Sequence, residues 1–183
     1  MEDTLTVNGQ RYRIIRLLGH GKGGYSYLAT ADEKPVVIKQ IHHEPCDYYV
    51  FADKFASECR DYQRLLQAGI RIPQMIAADS ARERIVKEYI EGETVFDLIR
   101  RNISTDAYLN QVRDMAKLAE AAGLNIDYFP TNFVINNDRL WYVDYECNSY
   151  LEEWSFENWG RKYWSRTAEF EEYLRNLSEK DEL

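Results

Sequence analysis

The amino-acid sequence predicts an α+β fold, with an N-terminal antiparallel β-sheet that carries one helix and a smaller, mainly helical part behind it. Short segments of alternating apolar and polar residues fill roughly the first ninety positions, and one stretch among them has helical spacing. After Gly92 the apolar residues recur mostly at helical spacing. We therefore expect a sheet-rich lobe over residues 1–90, a helical lobe over residues 91–183, and a hinge near residues 88–92.

The strands of the first lobe are expected at residues 5–7, 12–18, 25–30, 35–40, 74–78 and 85–89. A single helix lies between the fourth and fifth of them. Its apolar positions are three or four residues apart, and Gly69 ends it, as glycine commonly does at a helix C-terminus. These positions are Phe55, Cys59, Tyr62 and Leu66.

The second lobe is expected to contain a short helix from Thr94 to about residue 101 and a longer helix that Ser104 caps. The longer helix ends before Gly123, and a loop between two short strands follows it. A tail from about residue 153 to 177, rich in Trp and Glu, predicts one or two further helices. The apolar face of the longer helix is predicted to be Tyr108, Val112, Met115, Leu118, Ala119 and Ala122.

The composition disfavours several classes of protein. The formal net charge of −8 disfavours binding to nucleic acid or to an anionic membrane surface. The N-terminal residues lack an apolar signal segment, and no stretch approaches the length of a membrane span. Three scattered cysteines give no disulfide framework, so we expect a reduced, cytoplasmic compartment. The nearest approach to a metal cluster, His42-His43-x-x-Cys46, has no second pair of ligands and is read as ordinary strand-end and loop residues.

A glycine-rich turn lies between the second and third strands. Gly19, Gly21 and Gly24 form a G-x-G-x-x-G pattern, and a strand rather than a helix follows it. Backbone amides of such a turn can approach phosphates closely because no side chain keeps them away. Lys39 ends the next apolar strand, and Glu58 on the predicted helix is placed to pair with it. A cation fixed in this way is suited to binding phosphate groups.

Two aspartates and an asparagine form the second group of candidate site residues. Asp127 and Asn132 belong to one D-x-x-x-x-N loop, and Asp144 follows after a short hairpin at residues 136–139. Phosphoryl transfer from ATP requires a carboxylate that orients or deprotonates the attacking hydroxyl. It also requires oxygen ligands that hold Mg²⁺ against the phosphates. We assign the first role to Asp127 and the second to Asn132 and Asp144.

In this order and spacing the motifs resemble those of the protein-kinase-like superfamily. The segment V-V-I-K ending at Lys39 resembles the lysine strand of that superfamily, and Glu58 resembles its helix glutamate. The loop D-Y-F-P-T-N and the segment D-Y-E starting at Asp144 are closest in pattern to aminoglycoside and choline kinases, and the small size resembles RIO-type kinases. The resemblance implies a two-lobed fold with a truncated C-lobe, ATP and Mg²⁺ as cofactors, and adenine bound by backbone groups of Glu88 and Ile90.

Several positions depart from the family pattern. Asn125 replaces the histidine that usually precedes the catalytic aspartate, Ile126 replaces an arginine, and Lys87 occupies a usually apolar position beside the adenine. The chain after Asp144 is short, so regulation through a phosphorylated activation loop is not expected. Small kinases of similar build include the RIO type and the kinase subunit of a tRNA-modifying complex.

Two hypotheses of different classes follow. In the first, the chain is an active Mg-ATP-dependent phosphotransferase whose acceptor is a protein Ser/Thr, a small alcohol or a sugar. In the second, it is a nucleotide-binding pseudokinase, a scaffold or a partner-dependent ATPase. Aromatic residues of the tail would then form a protein partner face, although packing within the lobe is the favoured explanation for them: Trp154, Trp159, Tyr163 and Trp164.

Overall fold

The computed structural model describes residues 3–21, 23–43 and 53–181, with the side chains of residues 178–181 left out. Within these ranges the chain is α+β and divides into two compact units. The first unit contains Met1–Gln63 and Pro73–Tyr89, and the second contains Arg64–Ile72 and Ile90–Leu183. The fold class predicted from the sequence is thus confirmed. None of the described helices combines the length and the apolar composition that a membrane span requires.

The first unit is built on a six-stranded antiparallel sheet with the strand order β1-β2-β3-β4-β6-β5. The strands are β1 (Thr4–Val7), β2 (Gln10–Gly21), β3 (Gly24–Ala31), β4 (Lys34–Ile41), β5 (Met75–Asp79) and β6 (Arg84–Glu88). All six overlap the predicted segments. The core on one face of the sheet is formed by Val7, Tyr12, Ala29, Val36, Ile38 and Val86.

The sheet of the first unit curls until its two ends meet. The backbone N–H of Asn8, in the turn after β1, donates to Oδ2 of Asp79 at 2.9 Å, and the Asn8 amide donates to the carbonyl oxygen of Ala78 at 3.1 Å. Asp79 is buried and also accepts from the backbone N–H of Arg82 at 3.1 Å. Hydrogen bonds from two N–H groups hold the Asp79 carboxylate in its charged form, and the bond from Asn8 closes the sheet on itself.

Helix α1 (Lys54–Gln67) is the predicted helix of the first unit, and its last turn belongs to the second unit. Asp53 caps its start, because Oδ1 of Asp53 accepts from the backbone N–H of Ala56 at 2.9 Å. Tyr62 is buried, and its hydroxyl accepts from the backbone N–H of Met75 at 3.1 Å. Leu66, predicted to be on the apolar face, is exposed, and Leu65 is buried instead.

The second unit contains short strands, three helices and a large aromatic core. Its regular elements are β7 (Glu93–Thr94), α2 (Val95–Arg100), α3 (Asp106–Ala121), β8 (Leu124–Ile126), β9 (Phe133–Asn136), β10 (Arg139–Tyr142), β11 (Cys147–Ser149) and α4 (Ala168–Asp181). Strand β9 pairs with both β7 and β10, and β8 pairs with β11. The largest fully buried side chains of the core are Trp164, Tyr128, Tyr142, Tyr145, Phe133, Phe156 and Phe170.

Three predictions for the second unit require correction. Helix α3 starts after Thr105 rather than Ser104, although Ser104 Oγ still accepts from the N–H of Asp106 at 3.2 Å. Its buried face contains Leu109, whereas the predicted Leu118 and Ala122 are exposed. The tail begins with short 3₁₀ and π turns, and a regular α-helix forms only from Ala168. Packing of large aromatic rings, which periodicity does not encode, decides this stretch.

Candidate functional site

The first unit brings Lys39 and Glu58 together as an ion pair. Lys39 lies near the end of β4, and Glu58 lies in the second turn of α1. Their side chains are only 12% and 14% exposed, and Oε2 of Glu58 has no hydrogen-bond partner in the described part of the chain. Because both side chains are shielded from solvent, the ion pair fixes the direction of the Lys39 ammonium group.

The glycine-rich turn reaches this ion pair. Strands β2 and β3 continue into the turn, so that Gly21 lies opposite Gly24. A Cβ atom on Gly23 would lie 3.4 Å from Nζ of Lys39, which places the backbone of the turn directly over the pair. A Cβ on Gly24 would overlap the carbonyl oxygen of Gln40 on β4, whereas Gly19 and Gly21 have open space around them. Gly24 is therefore required for strand packing, and Gly19 and Gly21 leave the backbone accessible.

Histidine and tyrosine side chains anchor the base of the same turn. His20 and Tyr25 lie opposite each other and stack with 4.2 Å between ring centroids. The ring of His42, just after β4, contacts both of them at 5.2 and 5.3 Å. Nε2 of His42 lies 3.0 Å from the carbonyl oxygen of Gly21 and donates to it. His42, which the sequence offered only in the weak motif with Cys46, thus holds the glycine-rich turn; Cys46 itself is outside the described residues.

In the second unit, the Asp127 loop is built on buried strand β8. The backbone N–H of Phe129 donates to Oδ1 of Asp127 at 3.0 Å, and the amide of Asn132 donates to the Asp127 carbonyl at 3.4 Å. Pro130–Asn132 form one 3₁₀ turn, with the proline at its start, where the missing N–H costs nothing. This local network presents the Asp127 carboxylate and the Asn132 side chain from the same loop.

The Asp144 segment is tied to the Asp127 loop. The backbone N–H of Val143 donates to the carbonyl oxygen of Asn132 at 2.9 Å, so Asp144 follows directly after a contact with that loop. Oδ1 of Asp144 accepts from the N–H of Tyr145 at 2.8 Å. One hydrogen-bonded framework of the second unit therefore connects Asp127, Asn132 and Asp144.

Tyr142 is a residue of this framework that the sequence did not reveal. Its fully buried hydroxyl accepts from the Asp127 N–H at 3.3 Å and donates to the carbonyl of Glu146 at 2.8 Å. Burial, followed by the negative charges of Asp144 and Asp127, raises the pKa of Tyr142 well above its usual value. The hydroxyl thus stays protonated and keeps both bonds. Only the alternation in W-Y-V-D, which turns Tyr142 inward, could have suggested this role.

The residues that depart from the kinase pattern are all buried. Asn125 is buried, and its Oδ1 accepts from the backbone N–H of Leu151 at 2.6 Å, which fastens the chain after Asp144 to β8. Ile126 is buried in the core. Lys87 is buried in β6 of the first unit.

Glu88 and Ile90, the predicted adenine-binding residues, are placed in different units. The backbone N–H of Glu88 donates to the carbonyl of Gln74 at 2.9 Å, and Glu88 Oε2 accepts from the N–H of Gln74 at 3.1 Å. A contact of Glu88 with adenine would therefore have to use its carbonyl oxygen. Ile90 is buried.

The donor set available for a metal consists of oxygen ligands. Within residues 3–21, 23–43 and 53–181 no three His, Cys, Asp or Glu side chains converge into a metal cluster. Asn132 and Asp144 supply an amide oxygen and a carboxylate, which are hard ligands of the kind that Mg²⁺ accepts. Magnesium is commonly held by one or two carboxylates together with substrate phosphates. The residues present fit that mode of binding.

Comparison with known proteins identifies relatives of this chain, although no family model matches it. A probable serine/threonine-protein kinase, a BUD32 homolog of Archaeoglobus fulgidus, is 31% identical over 170 residues, which cover 84% of this chain and 83% of the relative. The KEOPS complex subunit Bud32 of Pyrococcus abyssi is 25% identical over 146 residues, covering 72% of this chain and 66% of the relative.

A probable serine/threonine-protein kinase of Clostridium acetobutylicum is 28% identical over 143 residues, which cover 74% of this chain and 22% of that longer protein. These similarities agree with the α+β fold, with the pairing of Lys39 and Glu58, and with the structure of the Asp127 loop. The chain belongs to the protein-kinase-like superfamily, among the small Bud32-like kinases. The sequence-based prediction of an ATP-dependent kinase is thereby confirmed at the level of the class.

Proposed function

We propose that the chain is a Mg-ATP-dependent protein kinase that transfers the γ-phosphate to a Ser or Thr hydroxyl of a protein. Several relatives are named as serine/threonine-protein kinases, which supports a protein acceptor over a small alcohol or a sugar. In this proposal Asp127 is the catalytic base, and Asn132 and Asp144 hold Mg²⁺.

The first unit is proposed to bind the nucleotide. Lys39, held by Glu58, contacts the α- and β-phosphates, and the turn from Gly19 to Gly24 covers the phosphates with its backbone amides. The Lys39 ammonium group is suited to this because its partner fixes its direction before ATP arrives. The carbonyl oxygen of Glu88 would contact the adenine.

In the proposed reaction the acceptor hydroxyl oxygen forms a bond to the γ-phosphorus while the bond from that phosphorus to the ADP oxygen breaks. The hydroxyl proton passes to the Asp127 carboxylate, and ADP leaves. Mg²⁺, when bound, neutralises negative charge on the phosphate oxygens. Asp127 also orients the attacking oxygen, and the bond from the Phe129 N–H limits the rotation of its carboxylate.

The observation that carries the proposal is the framework joining Asp127, Asn132 and Asp144. A hydroxyl base and two oxygen ligands within one set of hydrogen bonds are the parts that phosphoryl transfer needs. The buried Tyr142 hydroxyl supports the same interpretation, because it fixes the loop that carries the base without itself titrating near neutral pH.

A second candidate is a nucleotide-binding subunit or ATPase that works only with a protein partner. It is favoured by the names of the KEOPS complex subunits from Pyrococcus abyssi and Dictyostelium discoideum. Lys87, buried where the family usually has an apolar residue, also supports it. Both candidates require Mg-ATP binding, but only a nucleotide-binding subunit without catalytic activity would show no turnover that depends on Asp127.

The experiment compares wild type with Asp127→Ala. Calorimetric titration with Mg-ATP should give nearly equal affinities, since Asn132 and Asp144 remain. Transfer of labelled γ-phosphate to casein, or ATP turnover with cell extract, should fall by about 10²–10⁴, the usual contribution of a positioned base. Asp114→Ala, which changes an exposed helical aspartate, is the control and should behave as wild type. Mg-ATP binding by wild type with no turnover above that of Asp127→Ala, even with cell extract, would favour a nucleotide-binding subunit without catalytic activity, and absence of nucleotide binding would refute both.

A further inference from the structure

A row of aromatic rings leads away from the Asp127 loop. Phe129, whose N–H binds Asp127, contacts the ring of Tyr163 at 5.2 Å between centroids. Tyr163 contacts Trp159 at 5.4 Å, and Trp159 contacts Trp154 at 5.8 Å. These three steps span no more than roughly five residues of extended peptide. The outer end of the row is exposed. We call Leu151, Trp154, Trp159 and Tyr163 the Trp154 surface.

The Trp154 surface is apolar where it meets solvent. Leu151 is 54% exposed and Trp154 is 48% exposed, whereas Trp164, which the sequence also offered as a partner residue, is fully buried. An indole and an isobutyl group exposed within three residues of each other form a patch that a partner can cover favourably.

Hydrogen bonds hold this surface in a fixed position relative to Asp127. Asn125, two residues before Asp127, accepts from the Leu151 N–H at 2.6 Å. The amide of Asn158 donates to the carbonyl of Glu152 at 2.9 Å, and the Asn158 N–H donates to Ser155 Oγ at 3.3 Å. The exposed side chains thus project from a constrained set of short helical turns.

Acidic residues around the Trp154 surface favour a basic partner. Residues 140–160 contain five acidic residues and no Lys or Arg. Glu152 and Glu153, which directly precede Trp154, are exposed and form no ion pair among the described residues, while Glu157 is paired with Arg113. An indole face next to two carboxylates attracts a guanidinium group through cation–π contact and through charge. The basic residues nearest in the sequence, Arg161 and Lys162, lie at the other end of the row, next to Tyr163, and Arg113 is already paired with Glu157.

We propose that the Trp154 surface binds a basic, arginine-containing segment of the acceptor protein and thereby delivers a nearby hydroxyl to Asp127. The acceptor role rests on the proposed kinase function, whereas binding of the basic segment is measurable without it. Asn125 is in this view a positioning residue, since it joins the peptide-binding surface to the strand that leads to the base.

The binding experiment uses short fluorescent peptides that carry one Ser with several Arg on its N-terminal or C-terminal side. Matched peptides carry citrulline, which keeps the shape of arginine but removes its charge. Anisotropy titrations are expected to show binding of an Arg peptide that weakens with added salt. Trp154→Ala should weaken it roughly fivefold, the value of one cation–π contact at an exposed site. The double variant with Glu152→Gln and Glu153→Gln, which keeps the indole, should also weaken binding and reduce its salt dependence.

Two control variants have matched changes elsewhere. Leu118→Ala removes an exposed apolar side chain on α3, and Glu172→Gln removes an exposed carboxylate on α4, and both should leave peptide affinity unchanged. Circular dichroism shows whether each variant is folded. Equal binding of Arg and citrulline peptides, or an equal loss in the controls, would overturn the proposal. Self-association that Trp154→Ala abolishes would also overturn it, by assigning the surface to a second copy of the chain.

A kinetic measurement separates this proposal from the proposed function. Trp154→Ala should raise KM for the Arg peptide about as much as it weakens binding, with KM for ATP and kcat unchanged. If wild type phosphorylates casein but does not bind the Arg peptides, this inference fails and the kinase proposal stands. If the Arg peptide binds through Trp154 but no turnover is found, the surface is a site for basic segments and the kinase proposal fails.

Discussion

The pairing of Lys39 with Glu58 gives the sharpest quantitative prediction. Lys39→Met should weaken Mg-ATP binding about ten- to a hundredfold, because a charged hydrogen bond to phosphate contributes roughly 1.5–3 kcal/mol. Glu58→Gln should have a smaller effect in the same direction, since Lys39 then loses the partner that directs it. In the Lys39→Met background, Glu58→Gln should add nothing further to the loss. The coupling free energy should therefore equal the Glu58→Gln effect itself, roughly 0.5–1.5 kcal/mol, which lies within the range found for residues in contact.

Stability gives an independent measure of the same pair. Lys39→Met leaves the Glu58 carboxylate with little solvent and without its partner, and Oε2 of Glu58 has no other hydrogen bond in the described residues. The expected loss is about 3 kcal/mol of unfolding free energy, the lower end for a buried pair because both side chains keep some exposure. The double variant should recover most of this loss, since no unpaired charge remains.

The assay is calorimetric titration with Mg-ATP and urea unfolding of wild type, both single variants and the double variant. Lys34→Met, which changes an exposed lysine on the same strand, is the control and should alter neither quantity. Additive losses in ATP affinity would refute the idea that Glu58 acts through Lys39. Unchanged ATP affinity in Lys39→Met would remove Lys39 from the site altogether.

Three further predictions concern the first unit. Gly24→Ala should cost about 1–3 kcal/mol of unfolding free energy by overpacking against β4. Gly21→Ala should change the free energy of unfolding by no more than about 0.5 kcal/mol but should weaken ATP binding. A loss of stability in Gly21→Ala, or unchanged ATP affinity, measured by urea unfolding and calorimetry, would contradict this. His42→Ala should raise KM for ATP several-fold with little change in kcat, because the turn loses its anchor at the Gly21 carbonyl; a loss confined to kcat would exclude this role. The hydrogen bonds from Asn8 and Arg82 lower the pKa of Asp79 in the folded state. Asp79 therefore contributes to stability above the ordinary carboxyl pKa of about 4, and this contribution is lost as pH falls through its folded-state pKa. Urea unfolding from pH 7 to pH 3 should show a weaker acid dependence in Asp79→Asn than in wild type, and equal dependence would refute the assignment.

Much of the candidate site could be predicted from the sequence because its local parts are encoded locally. The strand ending at Lys39, the helix that carries Glu58 and the hairpin at Asn137 and Asp138 all have short-range signals. Asn137 and Asp138 adopt φ values of 48° and 58°, which asparagine and aspartate tolerate better than other residues. The order of the motifs then indicated the superfamily.

Other features depend on contacts between distant residues. Three hydrogen bonds join positions far apart in the chain: Asn125 to Leu151, Tyr142 to Asp127, and His42 to the glycine-rich turn. Side-chain type and spacing do not specify such pairs, because each of these residues could satisfy its hydrogen bonds in several ways.

The sequence by itself determined the α+β class, the strands of the first unit and the residue types that phosphoryl transfer needs. Those follow from apolar periodicity and from the chemistry of carboxylate, amide and ammonium groups. Only the tertiary structure decided which tail aromatics are core and which are surface, with Trp164 buried and Trp154 exposed. Charged residues lie just before both tryptophans and a serine follows each, so the local sequence does not separate them. The burial of Trp164 is set by the shape of the space left by Tyr128, Phe133 and Phe156.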